Sequence, residues 1–276
     1  MTPPLHCTFP LITDQRPSKR ACKDGENFAP PEDVVSFWRD LWVERKSPFH
    51  EQVVPRYDDA VEDVEVPSTM TVIRGLPGSF YAGTVMKRHE YDLALKDLIE
   101  MHEDPILNAV VIVGHPGIGR MSISHLALQG LIEYPGKTCF LFYVLVHRLL
   151  AQQPTIFQFD PHSIYLFFQG GVRLLPHHRL HPIVDVKHTW ALLDTKRRNE
   201  IAAMFLREPD PVFLVIASSP QPSHWADAEH YMPPIRKWFM EPFSLQELIQ
   251  ALVFQSNHLV RVLTGCCSSH LQSPTE

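Results

Sequence analysis

The stretch that decides the fold is AVVIVGHPGIG, residues 109–119, followed after an interval by GKTCFLFYVLVHRLL, residues 136–150. The first six residues are an unbroken apolar run rich in β-branched side chains, the signature of a strand buried on both faces. That strand runs directly into Gly114, Gly117 and Gly119. The second stretch has the length and the Leu and Phe content of an apolar helix over Cys139–Leu150. A strand, a glycine-rich turn and a helix in this order form the frame of a phosphate-binding loop. In that loop G-x-x-x-x-G-K-[ST] turns backbone N–H groups toward phosphate, a lysine neutralises it and a hydroxyl ligates magnesium.

Each half of the pattern fails alone. After GHPGIG, Arg120 stands where the lysine belongs and Met121 where the hydroxyl belongs. Upstream of Gly136-Lys137-Thr138, Leu131 stands where the first glycine belongs. Removal of residues 120–136 joins the halves into GHPGIGKT before the helix, and removal of 119–135 gives the same string. Either segment is 17 residues long, equivalent to 51 nucleotides, so the frame is kept. A translated intron or an inserted segment explains the interruption. Chance co-occurrence of two short fragments is the competing explanation.

Working outward, strands are expected at Thr69–Ile73, Thr155–Phe159, Ser163–Phe168, Thr189–Leu193 and Val212–Ala217. Helices are expected from Pro31-Glu32, with Val34, Val35, Phe37, Trp38 and Leu41 at helical spacing, and over Arg88–Met101. In the latter, Tyr91, Leu93, Leu95, Leu98 and Ile99 supply the apolar face. A further helix is expected over 244–263, opened by a Ser244/Glu247 capping box. Alternating strands and helices indicate an α/β layered domain with a mainly parallel sheet. The chain divides into a disordered leader (1–31), a small helical N-terminal region (32–104, with an acidic linker at 58–65), the α/β domain with its insertion (105–264) and a loose tail (265–276).

Composition sets outer bounds. A chain of 276 residues allows one large or two small domains, and 45% hydrophobic against 20% charged residues excludes a mostly disordered chain. The net charge of −6 argues against a protein that coats nucleic acid or anionic membrane. Apolar runs fall short of a membrane span of roughly 18 residues. Five scattered cysteines without a C-x-x-C pair argue against a zinc ribbon or disulfide framework. An intracellular setting is the expectation, with cytoplasm and nucleus both open. Lys19, Arg20 and Lys23 read as a solvated tail before they read as a nuclear address.

GHPGIG, KTCFLFYVLVHRLL and PTIFQF together resemble fungal P-loop proteins related to retrotransposon-hot-spot proteins and to the ATPase-like regions of Crinkler-type effectors. Further matches follow in order: KRHEYDLAL (87–95) ahead of the loop, TWALLD (189–194), FLVIASSPQPSHW (213–225) and KWFMEPFSLQELIQAL (237–252). The resemblance spans about residues 35–260. It implies a P-loop NTPase-like fold that binds ATP and Mg2+. In that frame Gly114, Gly117, Gly119 and Gly136 face the phosphates, Lys137 contacts them, and Thr138 and Asp194 hold the metal. Asp194 is the Walker B candidate, against the alternative of a turn or capping acid. Ser218 and Ser219 are either nucleotide sensors or turn hydroxyls.

The sequence departs from this pattern in two ways. The loop is split, and Asp194 is followed by Thr195 rather than by a second acid. Nucleotide binding with impaired hydrolysis is therefore expected. The alternative is a non-catalytic relic or interaction module, and a nucleic-acid-associated mobile-element protein is a weaker third. ATP is favoured over GTP because no N-K-x-D guanine motif is present. His177, His178 and His181 lack metal-ligand spacing and read as a surface loop. Cys266 and Cys267 read as incidental, and the aromatic group at 238–243 reads as core packing.

Overall fold

A computed structural model describes residues 29–54, 69–81, 84–114, 136–160, 163–175, 188–195, 212–219, 221, 225–231, 234–244, 246–247 and 250–251. Most of the leader, the acidic linker, Gly117, Gly119, residues 120–135, the histidine cluster at 177–181 and the tail with Cys266 and Cys267 lie outside the described residues.

The core element is β4 (Ala109–Gly114), buried at every position. It sits inside a seven-stranded sheet of order β10-β4-β9-β8-β5-β6-β7. The partners are β5 (Thr155–Asp160), β6 (Ser163–Phe168), β7 (Gly171–Leu174), β8 (Trp190–Asp194), β9 (Phe213–Ser218) and β10 (Ile235–Met240). The five strands β10, β4, β9, β8 and β5 run parallel, while β6 and β7 extend the sheet antiparallel. Both faces of the parallel part are covered, as its unbroken apolar strands require. Val110, Ile112, Leu192 and Val215 fill one core. Val111, Val113, Leu193 and Ile216 fill the other.

Helix α3 (Gly136–Leu150) crosses from β4 to β5, packs on β4, β5, β8 and β9, and is buried at nearly every position. A helix that is apolar all round needs cover on its second side. The N-terminal region supplies it. Helix α1 (Glu32–Trp38) begins at Pro31, carries Glu32 and Asp33 in its first turn where the dipole favours acids, and continues into a π-helical turn, Arg39–Val43. Helix α2 (His89–His102) buries Tyr91, Ala94 and Leu98. These sit at i, i+3 and i+7, so Leu93 and Ile99 fall off the face and are half exposed, contrary to the sequence reading.

Two further differences concern regions rather than residues. The stretch 32–104 is not purely helical. Strands β1 (Phe49–Val53), β2 (Thr69–Ile73) and β3 (Val85–Met86) form an antiparallel sheet there. It is also no separate unit, because Val34, Phe37 and Tyr91 share one core with Val110, Phe140 and Phe157. Strand β10 was not expected. Its Arg236 and Lys237 break the apolar pattern, as charges do on an edge strand that must not pair further. Within it Met240 is buried and Trp238 half-buried, but Phe239 is 68% exposed and so does not belong to the core. A short helix, α4 (Ala226–Tyr231), lies between β9 and β10 in the chain. Among the described residues no helix is long and apolar enough to cross a membrane.

Candidate functional site

In an open parallel sheet, ligands bind beyond the carboxyl ends of the strands where the chain leaves neighbouring strands in opposite directions. Here that point is fixed by topology. The chain leaves β4 toward β5 on one side, and leaves the adjacent β9 toward β10 on the other. The residues that end β4, β9 and β8 are Gly114, Ser218 and Asp194.

Helix α3 brings the second half of the motif to this corner. Gly136 is its first residue, and no acid lies in its first turn to oppose an anion at the positive end of the dipole. Lys137 is 5% exposed, and its Nζ donates to the Gly114 carbonyl oxygen at 2.9 Å. Thr138 is buried, and its Oγ1 donates to Asp194 Oδ2 at 2.8 Å. Gly114, Gly136, Lys137, Thr138 and Asp194 therefore meet, although 23 positions separate Gly114 from Lys137 and 56 separate Thr138 from Asp194. The sequence reading required residues 120–136 to loop out for this to happen, and required β4 to lie inside the sheet with 139–150 packed on it.

The neighbouring groups are arranged unequally. Thr195 follows Asp194, and both its N–H and its Oγ1 donate to the Ala217 carbonyl, at 3.1 and 3.0 Å. Its hydroxyl thus closes the gap between β8 and β9. Ser218 pairs with Val113 in the ladder and lies between the strands of Gly114 and Asp194. It is 2% exposed, and among the described residues its Oγ has no hydrogen-bond partner. An unsatisfied buried hydroxyl costs about 1–3 kcal/mol, so its retention asks for an explanation. Among the described residues no group of three or more His, Cys, Asp or Glu could hold a metal. Among the described residues, the Thr138 hydroxyl and the Asp194 carboxylate are hydrogen-bonded oxygen donors in this corner.

Sequence reading missed the residues that hold the corner in place. Tyr91 is fully buried and its hydroxyl donates to the Gly136 carbonyl at 2.9 Å. Burial pushes that hydroxyl well above its ordinary pKa, so it stays a donor. Arg148, in the last turn of α3, is buried at the opposite end of the helix with four neutral acceptors: Thr155 Oγ1, Gln153 Oε1, Pro154 O and His188 O, at 2.8–3.0 Å. Its guanidinium also lies 4.3 Å from the Trp190 ring centroid. The only signal for Arg148 was a charge interrupting an apolar run. Tyr91 lay inside a motif quoted for resemblance, but nothing local announced its partner.

Comparison of the chain with protein-family models, with curated proteins and with solved structures finds no match.

Proposed function

We propose that this chain is an ATP-binding P-loop protein whose phosphate loop is split by the segment 120–136, and whose hydrolytic activity is weak or absent. One observation carries the reading: Lys137 and Thr138 return to the end of β4 and to Asp194 across the interruption. A bound triphosphate would replace the Gly114 carbonyl as the partner of the Lys137 ammonium. Magnesium takes few protein oxygens and completes its shell with phosphate and water, and Thr138 and Asp194 are hard oxygen donors of that kind. When bound, the metal would neutralise charge on the β- and γ-phosphates. Ser218, with its unpartnered hydroxyl, would donate to a bound phosphate. Hydrolysis is expected to be poor because Thr195 replaces the acid that would prepare a water, and its hydroxyl is committed to Ala217.

The second reading is a non-catalytic relic or interaction module. It is favoured by the low exposure of Lys137 and Asp194, at 5% and 3%, and by the partners both already have within the chain. Thermal unfolding with and without Mg-ATP separates the two. Saturation at about 100 times Kd stabilises by about 2.7 kcal/mol, or roughly 5–10 °C in Tm. A rise of that size that disappears in Lys137→Ala supports the nucleotide reading, and no rise in the native chain overturns it. Deleting residues 120–136 shortens the tether between Gly114 and Lys137 from 22 residues to five. Loop-closure entropy then favours the bound arrangement by about 1 kcal/mol, a gain of roughly five- to tenfold in affinity.

A further inference from the structure

Two separate stretches, 87–95 and 237–252, are built around each other at Arg88. Arg88, the residue before α2, is 2% exposed. Its Nε and Nη2 donate to the two carboxylate oxygens of Glu247 at 3.0 and 3.1 Å. Its Nη1 donates to the Glu241 carbonyl and its Nη2 to the Pro242 carbonyl, both at 3.2 Å. The guanidinium lies 4.2 Å from the Phe243 ring centroid. Glu90 pairs with Arg88 at 3.0 Å, and its Oε1 accepts the Glu241 N–H. Glu247 is at the same time the second half of a capping box: its N–H donates to Ser244 Oγ at 3.2 Å, and its Oε2 accepts the Ser244 N–H at 2.9 Å. The segment 241–247 is thus a cradle for one arginine.

The other end of this arrangement reaches the site. One helical turn beyond Arg88, Tyr91 holds the carbonyl of Gly136, the residue immediately before Lys137. A short phosphate loop would fix the first turn of its helix through its own tight backbone. Here residues 115–135, 21 in all, connect Gly114 to Gly136, and closing a connection of that length costs more conformational entropy than closing a short loop. Tyr91, on α2, supplies a constraint from outside that connection.

We propose that Arg88 and Tyr91 are positioning residues that couple the docking of segment 241–247 to the placement of Lys137 and Thr138. In its nucleotide-binding consequence, this rests on the function proposed above. The coupled element is the start of α2, docked in the Glu241–Glu247 cradle or released from it. Linkage makes the coupling reciprocal: a ligand that tightens the first turn of α3 also tightens the cradle.

Amide hydrogen exchange on the full chain, with Tyr91→Phe and Glu247→Gln, tests this. Tyr91→Phe keeps the ring and loses one hydrogen bond. Glu247→Gln keeps the size and loses the bidentate charge partner of Arg88. Both variants are expected to speed exchange at residues 138–142 by about fivefold, the equivalent of one net hydrogen bond. Exchange at 144–149 stays at the native rate, which shows that the fold is intact. Mg-ATP affinity falls by a similar factor in both. Native exchange at 138–142 in Glu247→Gln overturns the coupling, whatever Tyr91→Phe does. Accelerated exchange in both variants, with no Mg-ATP response in the native chain, upholds the positioning and sinks the nucleotide reading instead.

Discussion

Replacing Thr138 by valine removes one hydroxyl from a corner where Thr138 is 1% and Asp194 3% exposed. The lost bond is 2.8 Å long and ends on a carboxylate. Hydrogen bonds to charged groups contribute about 1.5–3 kcal/mol, and a buried acceptor left short of a donor pays its own desolvation. Thr138→Val is therefore expected to cost about 2 kcal/mol, or roughly 4–8 °C in Tm. Thr138→Ser keeps the hydroxyl and loses one methyl, so its cost is about 1 kcal/mol. Asp194 makes other contacts as well, so Asp194→Asn alone overstates this one bond. The cycle of Thr138→Val, Asp194→Asn and the double variant cancels those contacts. Urea unfolding followed by tryptophan fluorescence should give a coupling energy of about 1.5 kcal/mol or more. A coupling below about 0.5 kcal/mol, the scatter of independent sites, would mean that Thr138 and Asp194 are not bonded, and the candidate site would lose its foundation.

Three further outcomes follow from the same structure. Ser218→Ala removes a buried hydroxyl without a partner, so it is expected to stabilise the ligand-free chain by about 1 kcal/mol while reducing the Mg-ATP shift in Tm; a loss of stability would refute the assignment. Arg148→Met removes a buried guanidinium that donates to four acceptors, of which Thr155 is buried, and should cost about 2 kcal/mol, with no rescue by Arg148→Lys, because a point charge cannot fork to all four; equal stability of the Lys variant by urea unfolding would count against this. Burial alone would raise the Glu247 carboxyl, but hydrogen bonds from Arg88 and Ser244 outweigh it and hold the pKa below its usual 4.5. A depressed carboxylate stabilises the fold above its unfolded pKa and loses that contribution as pH falls through the folded value. The stability gap between the native chain and Glu247→Gln should therefore be full near neutrality and shrink as pH falls below the unfolded value of 4.5; a gap that does not shrink on acidification would refute the ion pair.

Which parts of this protein were legible in advance follows from what sequence periodicity reports. A run such as AVVIVG says that both faces of a strand are buried, and β4 is buried throughout. The strand over Ser163–Phe168 and the start of α1 after Pro31 fall where local pattern puts them. The Ser244/Glu247 box is likewise a three-residue spacing, and its reciprocal hydrogen bonds are present. Strand β10 escaped because an edge strand half open to solvent, with Arg236 and Lys237 exposed, carries no buried-strand signature.

The sequence by itself determined the buried strands β4, β5, β6, β8 and β9, the helices α1 to α3, the two halves of a phosphate-loop motif and the single acid at the end of TWALLD. Tertiary structure alone decided the strand order β10-β4-β9-β8-β5, which sets Ser218 between the strands of Gly114 and Asp194. It also decided that Thr138 meets Asp194, that Tyr91 holds Gly136 and that Arg88 closes on Glu247, 159 positions away. The reason is physical. Burial and capping act over one turn or one pleat and leave a mark in neighbouring residues. The choice of partner for a buried hydroxyl or guanidinium is made by global packing, among segments that share no local pattern.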